Sequence, residues 1–320
     1  PMTGPEAIFD RALMRQRRER IAPIFDAHDF LFREIAVRLA ERAGDVRQNF
    51  PLALDAGCRT GLFTQVAKEM IPEKIGTYIL SESTPSFART AHQRTGAPTV
   101  IADDETLPFA PARFDLVASC GVLQGLNDVP GALLQMRQAL RPDGLFLGAL
   151  LGGETLFELR QALLAAEAEI EGGASPRVAP FAELSDAAGL LQRAGFSLPV
   201  ADLDPIDVSY ENAFKLMHEL RGMGETNARL DRRRTPTRRA TLLRAAEIYS
   251  ARFADAGGRI HASFDVFFLT GWAPADSQPK PLRPGSAQTR LADALDTTER
   301  PLDEKTGAAF PLRQPKPETS

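Results

Sequence analysis

The sequence has 320 residues and a net charge of -4, so it can bury a sizeable core in one large or two small domains. Its composition, 43% apolar and 25% charged, is that of an ordinary globular chain, and the weak negative charge argues against bulk binding to nucleic acid or membranes. No apolar run approaches the roughly 18 residues of a membrane span. Cys58 and Cys120 favour free thiols over a disulfide framework. We therefore expect a protein of the cytoplasm or of a cytoplasm-like matrix.

Residues 6–48 carry apolar positions at helical spacing, which predicts an N-terminal helical segment over residues 1–48. From residue 50 to residue 150, short apolar runs that favour strands alternate with helical patterns. The predicted strands lie at 52–55, 76–80, 99–102, 114–120 and 145–150. The predicted helices lie at 63–70, 85–94 and 129–140. This alternation predicts a mostly parallel sheet with helices on both faces.

The second half of the chain is richer in helical patterns. Its predicted helices lie at 155–170, 181–194, 214–220 and 239–254, and its predicted strands lie near 198–203 and at 263–271. The last strand could join the edge of the sheet. We therefore expect a Rossmann-like cradle at 49–154, a helical insertion plus final strands at 155–273, and an extended, partly disordered tail at 274–320.

The most informative run, residues 52–61, is an apolar strand that leads into a tight turn of small residues. Asp55 ends the strand, and Gly57 and Gly61 let the backbone approach a ligand closely, although a generic strand-to-helix turn has a similar composition. The run resembles motif I of the class I S-adenosylmethionine (SAM) methyltransferases, with Arg59 in place of the middle glycine. The resemblance implies SAM as cofactor and an α/β fold with a seven-stranded, mostly parallel sheet.

Two further stretches resemble the same class of methyltransferase. Asp103 and Asp104 follow the third strand, where a carboxylate accepts the exocyclic amine of adenine, although such a pair is as often a solvated turn. The fourth strand, 114–120, is typical of the class and places Ser119 at the cofactor site. We expect no metal site.

The second strand lacks the acid that holds both ribose hydroxyls in this class. Ile79 stands where that acid belongs, and Glu82 is expected at the start of the next helix. Loss of a bidentate contact to ribose costs on the order of 1.5–3 kcal/mol. Together with Arg59 in the cradle, this predicts that SAM binding is weakened by a factor of about a hundred, or lost.

Several segments outside these motifs resemble the respiratory complex I assembly factor 5 family of mitochondria and alphaproteobacteria. They are residues 8–11, 152–160, 171–176, 193–196, 222–227 and 285–287, and the resemblance covers roughly residues 6–292. It implies the SAM methyltransferase fold, hydroxylation of an arginine in a protein client, and a cytoplasmic or mitochondrial matrix location. Malonyl-acyl carrier protein methyltransferases are more distant relatives. Where the family has a His-Trp pair after the fourth strand, this chain has Gln124 and Gly125.

Two functions follow from this pattern. The first is a SAM methyltransferase-fold enzyme of the complex I assembly type that hydroxylates or methylates an arginine of a client. The second is a non-catalytic scaffold that binds a partner subunit. The two differ in whether Arg59 folds into the pocket or turns to solvent. The arginines Arg232, Arg233 and Arg234 are predicted to bind an acidic protein partner, although such a run is more often a solvated face.

Overall fold

A computed structural model describes residues 7–179, 181–278 and 293 of the chain. The chain divides into two compact units, 1–277 and 278–320. The predicted disorder after residue 278 and the segment 285–287 lie outside the described residues. Within the part that the structure describes, no helix combines the length and apolar character that crossing a bilayer requires.

The first unit is built on a seven-stranded sheet, as predicted. Its strands are β1 (Phe50–Ala56), β2 (Ile75–Glu82), β3 (Thr99–Ile101), β4 (Phe114–Cys120), β5 (Leu140–Gly152), β6 (Ser197–Tyr210) and β7 (Ile260–Trp272). The strand order is β3-β2-β1-β4-β5-β7-β6. Strands β1 to β5 pair in parallel, and β7 pairs antiparallel with both β5 and β6. The prediction of a mostly parallel sheet is confirmed.

Nine α-helices surround this sheet among the described residues. They are α1 (Arg11–Ile21), α2 (Phe30–Asp45), α3 (Leu62–Met70), α4 (Pro85–Thr95), α5 (Val129–Ala139), α6 (Phe157–Glu171), α7 (Leu184–Arg193), α8 (Ala213–Gly222) and α9 (Arg239–Phe253). Local signals set several of their ends. Asp128 caps α5 by accepting a hydrogen bond from the Gly131 amide at 2.8 Å, and Gly96 ends α4 in the left-handed region.

The sheet separates two hydrophobic cores because neighbouring residues of a strand point to opposite faces. On β1, Ala53 packs with the larger core, to which α2, α3, α6, α8 and α9 contribute, and Leu54 packs with the smaller core, to which α5 and α7 contribute. Both faces of the central strands are therefore covered, which is why these strands read as nearly continuous apolar runs.

Some element boundaries differ from the prediction. Strand β2 continues through Ser81 and Glu82, whose polar side chains suggested a turn although both are buried. Strand β5 begins at Leu140, before its predicted start at residue 145, and its register against β4 is irregular between Phe114 and Leu116. Strand β6 runs to Tyr210, so the region after residue 155 is less helical than expected.

Candidate functional site

The polar residues singled out in the sequence meet at the carboxyl edge of the parallel strands. Asp55 lies near the end of β1, Glu82 ends β2, and Ser119 lies near the end of β4. Asp103 follows β3 on the same edge of the sheet, with β2 between β3 and β1. Ligands of open α/β sheets bind outside this edge, where the strand order reverses between β1 and β4.

The turn after β1 needs glycine at two positions. Gly57 has a φ of +67°, and a Cβ atom on it would lie 2.8 Å from a methyl carbon of Val122. Gly61 has a φ of +79°, and a Cβ atom there would lie 2.8 Å from Thr95. Both positions combine a left-handed backbone with close packing, which only glycine tolerates. The turn therefore has the tight form of a ligand-binding cradle.

Asp55 anchors this turn to the following helix. Its Oδ2 accepts hydrogen bonds from the Thr64 amide at 3.2 Å and from the Thr64 hydroxyl at 2.8 Å. Burial raises the pKa of Asp55 to about 7, although the Thr64 bonds lower it, and repulsion from Glu82 adds to the increase. Its Oδ1 is buried without a partner among the described residues. Asp55 is thus bound to the first turn of α3 and does not point freely into the crevice.

Arg59 folds into the pocket. Its φ is +51°, and its amide donates to Oε2 of Glu82 at 2.8 Å. The guanidinium group donates to the Gly121 carbonyl at 2.9 Å and to Oε1 of Glu225 at 2.7 Å. It also lies 3.7 Å from the centroid of the Phe32 ring, which is cation–π geometry. Only 2% of the residue is exposed, so Arg59 closes the cradle.

The Arg59 guanidinium is under-satisfied in this position. Its Nε and Nη1 atoms are buried without hydrogen-bond partners among the described residues. Burial lowers the pKa of Arg59, and repulsion from Arg18 lowers it further, while Glu225 acts in the opposite direction. Arg18 itself lies 4.0 Å from Glu225. Two arginines therefore converge on one carboxylate at the site.

Glu225 is the site residue that sequence reasoning did not single out. It lies in the loop after α8, within the segment 222–227 that carries the family resemblance, but 166 positions from Arg59. A charged residue in a glycine-rich loop next to a helix was the available signal. Its pairing with Arg59 could not be predicted, because no local pattern links such distant positions.

Glu82, and not Ile79, occupies the position of the ribose-binding acid. Strand β2 ends at Glu82, which is 1% exposed, and its Oε1 also accepts the Thr84 amide at 2.8 Å. Ile79 lies farther back in the strand and packs against the smaller core. The prediction that Glu82 begins the next helix was wrong, since the strand is longer than its apolar residues indicate.

The two aspartates after β3 have different environments. Asp103 is partly exposed and binds Arg11 at 2.6 Å and Arg15 at 3.3 Å, both on α1. Asp104 is buried, and its Oδ2 accepts the Ser83 hydroxyl at 3.2 Å. Burial raises the pKa of Asp104, and the charge of Glu82 adds to this increase. Asp103 is thus held by α1, and Asp104 is enclosed at the edge of the sheet.

Helix α1 lies over this part of the edge. Arg11, Arg15 and Arg18 border the enclosed space in front of Ser83 and Asp104, and that space measures only about 20 Å³. Ligand pockets of cofactor size measure about 300 to 1,000 Å³. The adenine side of the cleft is therefore closed by α1 in this conformation.

A larger cavity opens on the other side of Arg59. It measures about 330 Å³, and its walls are mostly apolar, with Leu159, Leu163 and Met217 among them. Gln124 and Gly125, in the loop after β4, line it next to the cofactor edge. Among the described residues that line the cavity, Glu225 is the one carboxylate. We call this space the substrate cavity.

The residues of the edge fit SAM in part. The glycine turn, Glu82 and Asp104 have the required chemistry, and buried polar atoms of Ser81 and Ser119 lack partners among the described residues, as expected where a polar ligand binds. The Arg59 side chain does not fit, because it fills the space at the turn.

The arginine run is partly neutralised by carboxylates of the fold. Arg232 pairs with Asp10 at 3.2 Å, and Arg233 pairs with Glu167 at 3.3 Å and with Glu171. Arg234 is exposed, without an ion pair among the described residues. Two of the three predicted partner-binding residues thus also tie elements of the fold together.

Known proteins are similar to this chain. A family model described as a methyltransferase domain matches residues 54–148. The mitochondrial arginine-hydroxylase NDUFAF5 of Danio rerio is 39% identical over 289 residues, which cover 89% of each chain. A malonyl-[acyl-carrier protein] O-methyltransferase of Xylella fastidiosa is 32% identical over 276 residues, 85% of this chain and 90% of its own. A candidate methyltransferase from Bacillus halodurans, 14% identical, has a TM-score of 0.51 over 75% of this chain and 99% of its own, which shows a shared fold.

Proposed function

We propose the function of this chain on the basis of its family. The chain belongs to the NDUFAF5 arginine-hydroxylase family, which is of the complex I assembly type and has a class I methyltransferase fold. In this function the chain modifies the side chain of an arginine in a protein client. Methylation would take the methyl group from SAM and leave S-adenosylhomocysteine, whereas hydroxylation would insert one oxygen atom from O₂ with a two-electron reductant that reduces the other oxygen to water. The substrate cavity receives the client's arginine, and Glu225 holds its guanidinium next to the cofactor edge.

One observation carries the proposal: Glu225 lines the substrate cavity and already binds a guanidinium group there. Its Oε1 accepts the bond from Arg59, and its Oε2 accepts none from the described residues. A carboxylate can accept two guanidinium groups, one on each oxygen. The apolar walls would contact the aliphatic stem of the client's arginine, and exclude water from its head group.

Replacement of the carboxylate tests this function. In cells that lack the endogenous gene, wild-type protein should restore a modified arginine, detected by peptide mass spectrometry as a gain of one oxygen atom for hydroxylation or of one CH₂ unit for methylation. Glu225→Gln should abolish the modification, because a neutral amide binds guanidinium weakly. Glu219→Gln, which removes a carboxylate from α8 outside the cavity, is the matched control.

Two results would contradict this proposal, the first its enzymatic activity and the second the role of Glu225. A wild-type protein that restores complex assembly without any modified arginine would favour the non-catalytic scaffold, which the closed position of Arg59 also suits. Full modification by Glu225→Gln would show that the guanidinium binds elsewhere.

In our proposal the cofactor is SAM, and the wild-type chain binds it weakly. The cradle, Glu82 and Asp104 would hold it once the Arg59 side chain left the pocket. When bound, SAM supplies the cofactor chemistry of the methyltransferase fold. Weak binding follows from Arg59, which must break its bonds to Gly121 and Glu225 first.

The Arg59→Gly variant tests the cofactor proposal by isothermal titration with SAM. Glycine reopens the cradle and suits its φ of +51°, so affinity should rise about tenfold or more, which equals about 1.4 kcal/mol. Arg94→Gly, at an arginine outside the cleft, controls for the general effect of glycine. Low-micromolar binding by the wild type would contradict the proposal.

A further inference from the structure

An arginine-lined hollow lies next to the substrate cavity. It measures about 420 Å³ and is lined by eight described residues, of which five are arginines: Arg17, Arg177, Arg232, Arg233 and Arg234. They come from α1, from the segment before α7 and from the loop before α9. We call this space the arginine hollow.

The carboxylates around the hollow do not balance these arginines. Asp10 pairs with Arg232, and Glu167 and Glu171 pair with the arginines at its other side. Burial raises the pKa of Glu167, but hydrogen bonds from Arg177 and Ser175 outweigh this effect and hold it at about 2. These acids are therefore fully ionised at neutral pH, and five arginines still face only three of them.

Two arginines of the hollow make no ion pair within 4.0 Å among the described residues, although the charge of Asp10 attracts both. Arg17 donates to the backbone carbonyls of Thr226 at 3.2 Å and Asn227 at 2.9 Å. Burial lowers the pKa of Arg17, and repulsion from Arg232 lowers it further, so an anion placed between them would stabilise both charges. Arg234 is exposed and presents its charge to solvent. This local positive excess stands out in a chain with a net charge of -4.

The hollow and the substrate cavity are neighbours, because Arg177 and Asn227 line both. Asn227 is fixed between them, since its side chain donates to the Pro176 carbonyl at 2.7 Å and accepts from the Arg229 amide at 3.1 Å. A peptide whose arginine enters the cavity can therefore place a nearby side chain in the hollow.

We propose that the arginine hollow binds an acidic side chain of the client, a few residues from the arginine that is modified. Arginine guanidinium groups match carboxylates in geometry and charge, and a charged rim increases the association rate and fixes orientation. This specificity rests on the proposed function, because the substrate cavity must hold the client's arginine.

The test uses alanine-based peptides, each fluorescently labelled and carrying one arginine and one glutamate at different separations. Binding to the full chain is measured by fluorescence polarisation, and the best peptide is then remade with Glu→Gln or with Arg→Lys. Protein variants are Arg234→Gln and Arg234→Glu, with Arg113→Gln as an exposed arginine outside the hollow. All keep the buried arginine pairs of the hollow.

For the wild type and Arg113→Gln, the Glu→Gln peptide should bind about two- to fivefold more weakly, the size expected of an exposed charge pair. For the Arg234→Glu protein, the Glu→Gln change in the peptide should have no effect or should improve binding. The reason is that the peptide's carboxylate would then face a carboxylate in place of the Arg234 guanidinium, so the two substitutions are coupled. An equal effect on wild type and Arg234→Glu, or no binding by any peptide, would overturn the hollow as an acid-binding site. Equal binding of inorganic phosphate would overturn it in favour of a free-anion site.

The Arg→Lys peptide separates this inference from the proposed function. If Arg→Lys leaves affinity unchanged while Glu→Gln weakens it, the hollow binds the acid but the cavity does not select arginine. If Arg→Lys weakens binding while Glu→Gln does not, the substrate cavity selects arginine and the arginine hollow does not bind the client.

Discussion

Arg59 concentrates several unfavourable features in one residue. Its left-handed backbone costs an L-residue on the order of 1 kcal/mol, and its guanidinium is almost wholly buried. The ion pair with Glu225 and the contact with Phe32 offset this cost, but a buried ion pair rarely stabilises a fold more than apolar residues would. Strain of this kind concentrates at functional sites, which is why we assign Arg59 a role in controlling access to the cofactor cleft.

Asp55 gives the site a measurable pH dependence. Its folded-state pKa of about 7 lies above its ordinary value of 3.8, so the protonated form favours folding. The stabilisation is fully present below about pH 4 and is lost as the pH rises through 7. Asp55→Asn should flatten this decrease, which is on the order of a few kcal/mol for a wholly buried carboxyl.

Urea unfolding between pH 4 and 7.5 measures this slope. Asp104 has a raised pKa in the same window, so the slope should decrease rather than vanish. Asp45→Asn, at the exposed end of α2, should keep the wild-type slope. A variant Asp55→Asn with the same slope as wild type would show that Asp55 is ionised in the folded protein at low pH.

At the scale of elements, arginine–carboxylate pairs fasten helices and loops around the site. Arg11 ties α1 to Asp103 at 2.6 Å and to Glu105 at 2.9 Å. Arg233 ties the loop before α9 to Glu167 and Glu171 on α6. Arg233 therefore has two roles: its ion pairs hold one wall of the arginine hollow in place, and its guanidinium contributes to the positive charge of the hollow.

Charge reversal distinguishes the structural arginines from the exposed one. Arg233→Glu places a third carboxylate beside Glu167 and Glu171, so Tm should fall by at least about 3 °C, a typical shift for a large domain that loses one interaction. Arg234→Glu, one position later and without an ion pair among the described residues, should leave Tm nearly unchanged. Equal Tm values by differential scanning calorimetry would contradict the role of Arg233.

At the scale of the whole molecule, the sequence predicted the sheet well and the site unevenly. Strands such as β1 are visible as nearly continuous apolar runs because both faces of the sheet are buried. The sequence placed Glu82 at the start of the next helix and not at the end of β2, because a buried polar strand end has the composition of a loop. The inward position of Arg59 depends on Glu225 and Phe32, which lie in distant segments. Local composition specifies elements, but long-range pairs specify this site.

The outer edge of the sheet shows how the fold limits association with other copies. Strand β6 is the last in the sheet, and Leu198, Val200 and Leu203 on it are 53%, 54% and 45% exposed. Such an edge can pair with another chain. The ladder between β6 and β7 is continuous from Val200 to Tyr210, so the nitrogen of Pro205 must face the free edge, where it removes a hydrogen-bond donor.

Pro205→Thr should therefore increase self-association. Threonine restores the missing N–H and favours β structure, so the free edge of β6 becomes a better template for a second copy. Sedimentation velocity should show a sedimentation coefficient that rises with protein concentration more steeply than for the wild type. Pro72→Thr, at an exposed proline in the turn between α3 and β2, should behave as the wild type does. If Pro205→Thr and Pro72→Thr sediment alike, Pro205 does not protect this edge, and the aspartates of β6 that bind Arg38 and Arg42 on α2 must do so instead.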